Sequence, residues 1–153
     1  MSDHEYSSGD LAPLDLPGFL HRFQSRGFRL GAFSPTELAS EILYCALLFG
    51  AHRTLVLTEG DWWGIFADVD WFAASSVSLT DLRSRIVSYP GQPNSMRPET
   101  WLVGFANEVK TTGGSYEGVP VALVRELETW EGGLVFRVAP RADSATAPDG
   151  ATA

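Results

Sequence analysis

The feature that most constrains the fold is a predicted helix followed almost directly by a tryptophan-rich hairpin. Residues 37–51, ELASEILYCALLFGA, carry apolar side chains at helical spacing, and Gly50 is suited to end the helix. Residues 54–58 and 62–67 are apolar runs on either side of Glu-Gly-Asp, a turn that can join two antiparallel strands. Together they predict a helix packed on an antiparallel sheet.

Patterns elsewhere in the chain predict further helices and a second hairpin. Asp15 is a plausible N-cap for a helix that ends at Gly27, and Ser34, Pro35 and Glu37 form a capping-box pattern for the helix described above. Three more predicted elements are a helix over 78–86, a helix over 98–109, and a hairpin of strands 119–127 and 134–138. Residues 89–95, YPGQPNS, are predicted to form a loop.

The expected fold class is therefore α+β, a two-layer sandwich with helices on one face of a mostly antiparallel sheet. At 153 residues the chain is expected to form a single domain over residues 13–140. Residues 1–12 and 141–153 are small or polar and are predicted to be disordered tails. No apolar run approaches the roughly 20 residues that a membrane helix needs, and the polar N-terminus lacks a signal-peptide pattern, so we expect a cytoplasmic protein.

Charge and cysteine content narrow the classes of partner and cofactor. The formal net charge is −8 and the pI is about 4.7, which argues against binding a nucleic-acid backbone and favours a neutral or basic protein partner. The chain has one cysteine, Cys45, and its three histidines show no metal-ligand spacing. No metal site is predicted.

Three carboxylates are candidates for chemistry. Glu41 lies on the main helix among apolar neighbours, an environment that can tune a carboxylate to act as an acid or base, although a simple surface glutamate fits the same spacing. Asp68 and Asp70 follow the second hairpin strand, and alternation would point both to one side as a polar ligand pair or as a solvated strand end.

The tryptophans are candidates for partner contacts. Trp62 and Trp63 are adjacent in a strand, so they must point to opposite faces of the sheet, and Trp71 follows closely. An exposed indole is a good anchor for a protein or a flat ligand. A helix or loop covering the second face is the alternative.

The same stretch resembles the GHKL ATPases, which share the Bergerat fold and include mismatch-repair ATPases and histidine kinases. The mismatch-repair pattern E-L-x-x-N-A-x-D-A-G-A is similar to the segment that begins EILYCALLFGA, with Glu41 and Gly50 in register. The following strand, turn and strand lead to Asp68, at the place of the aspartate that contacts adenine. SMRPETWL, with Arg97, is similar to G-F-R-G-E-A-L, and the resemblance spans about residues 37–109.

Departures from the family pattern change what this resemblance implies. Cys45 occupies the position of the magnesium-binding asparagine, and a thiol is a poor ligand for that cation. Asp70 and Phe72 replace glycines of D-x-G-x-G, where side chains obstruct the approach of a nucleotide. Hydrolysis of ATP is therefore not expected, although binding of ATP or ADP stays open. Glu41 would correspond to the catalytic base only in an active enzyme.

The leading hypothesis is a non-catalytic, regulatory binding protein on a degenerate GHKL-like fold, a pseudo-ATPase that acts through a protein partner or a small ligand. Its predicted ligand-binding residues are Cys45, Asp68, Asp70 and Arg97, and its predicted partner-binding residues are Trp62, Trp63 and Trp71. Two alternatives remain: a small metal-free enzyme with a Glu or Asp acid–base group in a Trp-lined pocket, and an acidic immunity or antitoxin-like inhibitor of a basic protein.

Overall fold

The computed structural model describes residues 15–89 and 91–139 of the chain. Both predicted tails, residues 1–12 and 141–153, lie outside the described residues. In chain order the elements are α1 (Leu16–Gly27), α2 (Pro35–Leu48), β1 (Thr54–Glu59), β2 (Trp62–Ala67), α3 (Trp71–Ala74), α4 (Leu79–Ser84), β3 (Ser88–Tyr89), β4 (Gln92–Met96), a 3-10 turn (Pro98–Thr100), α5 (Trp101–Phe105), β5 (Ala106–Thr111), α6 (Val121–Thr129) and β6 (Gly132–Val138).

The main sheet has four strands in the order β1-β2-β6-β5, and every neighbouring pair is antiparallel. A separate hairpin is formed by β3 and β4. The predicted α+β class, with helices packed on an antiparallel sheet, is confirmed, as is the hairpin of β1 and β2 with its tight turn at Gly60, whose φ is +59°. A positive φ at this turn suits glycine because it has no Cβ.

Hydrophobic packing places α1, α2 and α5 on one face of the main sheet. That face contributes Ile65, Leu134 and Phe136, all completely buried, to the larger core. The opposite face has a smaller core in which Trp62, Phe66 and other side chains pack against α6. Alternation along each strand divides the side chains between these two cores. Both faces are consequently covered where the tryptophan hairpin lies.

Local capping signals act as the sequence indicates at the start of α1 and α2. The Asp15 carboxylate accepts a hydrogen bond from Gly18 N at 3.1 Å. The Ser34 hydroxyl accepts one from Glu37 N at 3.3 Å. The Glu37 carboxylate, however, accepts from Arg29 N at 3.1 and 3.2 Å, so it ties the α1–α2 connection to the helix instead of completing the reciprocal capping box.

The helix predicted over residues 98–109 is shorter in the structure. It ends at Phe105, and β5 begins at Ala106 and pairs with β6. Val109 lies opposite Phe136 in this pairing. Strand pairing in the sheet therefore overrides the helical spacing of the apolar residues at this point.

The strand predicted over residues 119–127 is wrong, because this segment forms helix α6. Pro120 stands at its N-cap position, and Leu123 and Leu127, four residues apart, are both buried against the sheet. The short apolar run fits both periods, and as a helix it packs Leu123 and Leu127 in one core with Phe66 and Trp62. Part of the loop predicted over residues 89–95 instead belongs to the β3–β4 hairpin.

Candidate binding cleft on helix α2

Helix α2 is apolar on two of its faces. One face, which includes Leu38, Ile42 and Cys45, is completely buried in the larger core. The other presents three large apolar side chains to solvent: Tyr44, Leu47 and Leu48 are 56%, 46% and 48% exposed. A surface helix normally has one apolar face and one polar face. The second apolar face therefore marks α2 as a candidate interaction surface.

A cleft of about 490 Å³ lies between α2 and the β3–β4 hairpin, and Tyr44 of the exposed face is one of its lining residues. Glu41 and Tyr44 line it from α2, and Tyr89 lines it from β3. We call this feature the α2 cleft; its full lining is Arg29, Glu37, Ser40, Glu41, Tyr44, Tyr89, Gln92, Ser95, Met96 and Pro98. The volume is within the range of sites that bind small molecules or single side chains of a partner.

Glu41 has the most distinctive electrostatic environment in the α2 cleft. Burial of its half-buried carboxylate raises its pKa above the ordinary value of 4.5, and the negative charge of Glu37, one turn earlier on α2, raises that pKa further. Among residues 15–89 and 91–139, no hydrogen bond or ion pair to Glu41 is formed. A cation entering the cleft would therefore find a carboxylate with open acceptor positions.

Two tyrosine rings form the aromatic part of the cleft. The rings of Tyr44 and Tyr89 are nearly parallel, with an interplanar angle of 20° and centroids 6.5 Å apart. Burial is the largest cause that raises the pKa of the Tyr89 hydroxyl, which therefore stays protonated at neutral pH. The pair offers aromatic rings in the same cleft as the Glu41 carboxylate.

A second carboxylate near α2, that of Glu99, belongs to a buried network. Its side chain is completely buried, and its oxygens accept hydrogen bonds from Arg97 Nε at 2.8 Å and Nη2 at 3.2 Å. Trp71 Nε1 donates to the same carboxylate at 2.9 Å, and Arg97 Nη1 donates to the Ser75 hydroxyl at 2.6 Å. The guanidinium also lies over the ring of Phe72, 5.0 Å from its centroid. This network joins the 3-10 turn to α3.

The predicted ligand-binding residues Cys45 and Arg97 are core residues in the structure. Cys45 is completely buried, and burial is the largest cause that raises the pKa of its thiol to about 12. A thiol in that environment is a small apolar core group and not a reactive one. Arg97 is 1% exposed and pairs with Glu99, so its charge is already neutralised.

The carboxylates of Asp68 and Asp70 both accept hydrogen bonds from backbone N–H groups. The Asp68 carboxylate accepts a hydrogen bond from His52 N at 2.9 Å, and this bond is the main cause that lowers its pKa. The Asp70 carboxylate accepts from Ala73 N at 3.1 Å and caps α3. None of the four predicted ligand-binding residues, Cys45, Asp68, Asp70 and Arg97, lines the α2 cleft with Glu41.

Of the three predicted partner-binding tryptophans, two are buried in the fold and one is half-buried. Trp62 is 6% exposed under α6, and Trp71 is completely buried with its N–H bonded to Glu99. Trp63 points to the opposite face from Trp62, as alternation requires, and stacks on Phe136 with ring centroids 6.4 Å apart. Trp62 and Trp71 therefore offer no exposed indole to a partner, while Trp63 is half-buried.

Sequence reasoning identified Glu41 but missed the tyrosines that accompany it. Tyr44 follows Glu41 by three residues on α2, so helical spacing alone could have placed it beside the carboxylate. Tyr89 comes from a segment read as a loop, and no local pattern connects it to α2. The exposed row of Tyr44, Leu47 and Leu48 could also have been found from the sequence, because the faces of α2 differ little in hydrophobicity.

Within residues 15–89 and 91–139, no group of three or more His, Cys, Asp or Glu side chains is arranged to hold a metal ion. No helix in the same part of the chain is long and apolar enough to cross a membrane. Comparison of the chain with family models, curated proteins and solved structures found no match.

Proposed function

We propose that the protein acts by binding a basic protein partner, without turnover, through the exposed face of α2 and the adjoining α2 cleft. The observation that carries this proposal is the second apolar face of α2, where Tyr44, Leu47 and Leu48 are each about half exposed. Apolar side chains grouped beside a cleft are typical of surfaces that become buried in a complex.

The electrostatics of the chain support a basic partner. Its formal net charge of −8 would attract a positively charged protein over long range and increase the rate of encounter. Glu41 adds an unneutralised carboxylate at the surface itself. An acidic inhibitor of the immunity or antitoxin type is one kind of protein with this combination of charge and apolar contact.

The resemblance to the GHKL ATPases leads to a separate proposal, that ATP or ADP binds at Asp68. In this structure Asp68 is exposed and bonded to the His52 backbone, and it does not line the cleft that contains Glu41. Calorimetric titration with ATP and ADP, with and without magnesium, tests this alternative when repeated on Asp68→Ala. Magnesium-dependent ATP hydrolysis that disappears in Glu41→Ala would overturn a non-catalytic role.

The first test of the binding proposal compares three forms of the protein. They are the wild type, the double variant Leu47→Ser/Leu48→Ser, and Val121→Ser as a control on α6, where Val121 is 75% exposed. Partners captured from cell extract are identified, purified and titrated calorimetrically against each form. We expect a basic partner whose affinity falls by about tenfold or more in the double variant, because two buried apolar contacts are lost.

The control should bind as tightly as the wild type, since Val121 lies on the other side of the sheet from α2. Affinity should also decrease as salt is added, because exposed charges are screened. A captured partner that binds the double variant and the wild type equally well would show that α2 is not the interface.

A further inference from the structure

We propose that the α2 cleft receives an arginine side chain of the partner, with its guanidinium stacked on Tyr44 and Tyr89 and paired with Glu41. This inference rests on the proposed function and adds the chemical group that the cleft selects. The tyrosine rings, the unpaired carboxylate and the apolar side chains of Met96 and Pro98 in the cleft support it.

The tyrosine pair favours a flat cation. The rings of Tyr44 and Tyr89 are stacked, with 20° between their planes and 6.5 Å between their centroids, so α2 and β3 each contribute an aromatic ring to the cleft. A guanidinium is planar, delocalised and more weakly hydrated than an ammonium, and it stacks on aromatic faces. Arginine is accordingly the more frequent partner in cation–π contacts.

The carboxylate supplies the countercharge. Glu41 is half-buried at the side of the same cleft, with no ion pair to it among the residues that the structure describes. A guanidinium can donate two parallel hydrogen bonds to a carboxylate, a geometry that an ammonium cannot reproduce. The aliphatic part of the arginine would lie along Met96 and Pro98, which also line the cleft.

The other charged groups that line the cleft determine the net field there. Glu37 carries a second negative charge on α2, and its oxygens accept from the backbone of Arg29. Arg29, whose side chain is exposed, also lines the cleft and would repel an incoming cation or compete with it for the two carboxylates. Removing this positive charge should therefore strengthen binding, a result that a purely apolar cleft would not give.

The experiment is an NMR titration of the full chain with the peptide Gly-Gly-Arg-Gly-Gly, followed through the ring signals of Tyr44 and Tyr89. Matched peptides with citrulline or lysine in place of arginine, and free spermidine, serve as comparison ligands. We expect the arginine peptide to bind most tightly and the neutral citrulline peptide about tenfold more weakly, because citrulline lacks the charge.

Variants locate the interaction. Glu41→Gln should weaken binding of the arginine peptide by about tenfold, and Tyr44→Ala by about threefold, whereas Tyr44→Phe should keep the affinity because it keeps the ring. Arg29→Gln should strengthen binding by about twofold to threefold. All three side chains line the cleft, and unchanged backbone spectra would show that each of the four variants is folded.

Equal affinity for arginine and citrulline, no response of the tyrosine signals, or no effect of Glu41→Gln would each overturn the inference. Tighter binding of spermidine than of the arginine peptide would overturn it in favour of a free polyamine site. The proposed function fails separately, when partner affinity is independent of Leu47 and Leu48. A partner that needs these leucines while the arginine peptide fails to bind would leave the function standing without the arginine contact.

Discussion

Two carboxylates near α2, those of Glu99 and Glu41, have opposite surroundings. Glu99 is completely buried and accepts three hydrogen bonds, two from Arg97 and one from Trp71. Glu41 is half-buried, lies beside Tyr44 in an open cleft, and has no partner in the part of the chain that the structure describes. The hydrogen bonds of Glu99 are formed within the protein without any ligand, whereas the carboxylate of Glu41 can still accept hydrogen bonds from a ligand.

The difference separates a structural role from a binding role. A buried charge is tolerated only when paired and hydrogen-bonded, so the surroundings of Glu99 are what a stable core requires. The position of Glu41 costs the isolated protein some free energy, because the carboxylate is partly desolvated next to Glu37. A cationic partner would offset that cost.

Breaking the buried pair should be strongly destabilising. In Arg97→Met the volume of the side chain is largely kept, but Glu99 is left buried without its main partner. We therefore expect the free energy of unfolding to fall by about 3–5 kcal/mol. Urea denaturation followed by tryptophan fluorescence measures this change. The double variant Arg97→Met/Glu99→Met removes both charges and should recover much of the stability.

A loss below about 1 kcal/mol in the single variant, the usual range for an exposed ion pair, would show that water reaches Glu99. The contrast with Glu41 would then disappear. A double variant as unstable as the single variant would show that packing around Arg97, and not the unpaired charge, causes the loss.

The indole N–H of Trp71 should make a smaller but measurable contribution. Trp71→Phe keeps an aromatic ring in the core but removes the 2.9 Å hydrogen bond to Glu99, and we expect a loss of about 2–3 kcal/mol. Trp63→Phe is the matched control, because its half-buried ring stacks on Phe136. Urea midpoints that decrease equally in the two variants would contradict a specific role for the Trp71 hydrogen bond.

Features fixed by local chemistry were predictable from the sequence. The caps at Asp15 and Ser34, the extent of α2, and the hairpin with Gly60 depend on residues within a few positions of one another. The strand at 106–111 and the helix at 121–129 were not predictable in this way. Each depends on contacts with β6 or the far face of the main sheet, which no short window of sequence contains.

The candidate site was predictable only in part for the same reason. Glu41 stood out because a carboxylate interrupts an apolar helix, but Tyr89 reaches it through the tertiary structure from 48 positions further along the chain. Trp71 and Glu99 likewise meet across 28 positions. Burial of Trp62 depends on α6, in a segment for which the sequence pattern predicts a strand. Long-range packing thus decided which of the predicted residues are core and which face the cleft.

The smallest effect concerns the pH dependence that Glu41 gives to stability. Because its folded-state pKa is raised above the ordinary value of 4.5, the folded state binds more protons than the unfolded state between those two values. The stabilisation of the folded state by this proton is therefore fully present below pH 4.5 and is lost as pH rises through the raised pKa. At neutral pH the ionised carboxylate is a net cost.

Glu41→Gln should consequently be more stable than the wild type at pH 7, by at most about 1 kcal/mol because water still reaches the side chain. The gain should shrink towards zero below pH 4.5. Urea denaturation across this pH range measures it, with Glu59→Gln, exposed at the end of β1, as a control expected to differ from wild type by less than about 0.5 kcal/mol. A Glu41→Gln variant less stable than wild type at pH 7 would mean that the carboxylate is already satisfied within the folded chain. The cleft would then have no unpaired charge to offer, and the contrast with Glu99 would be lost.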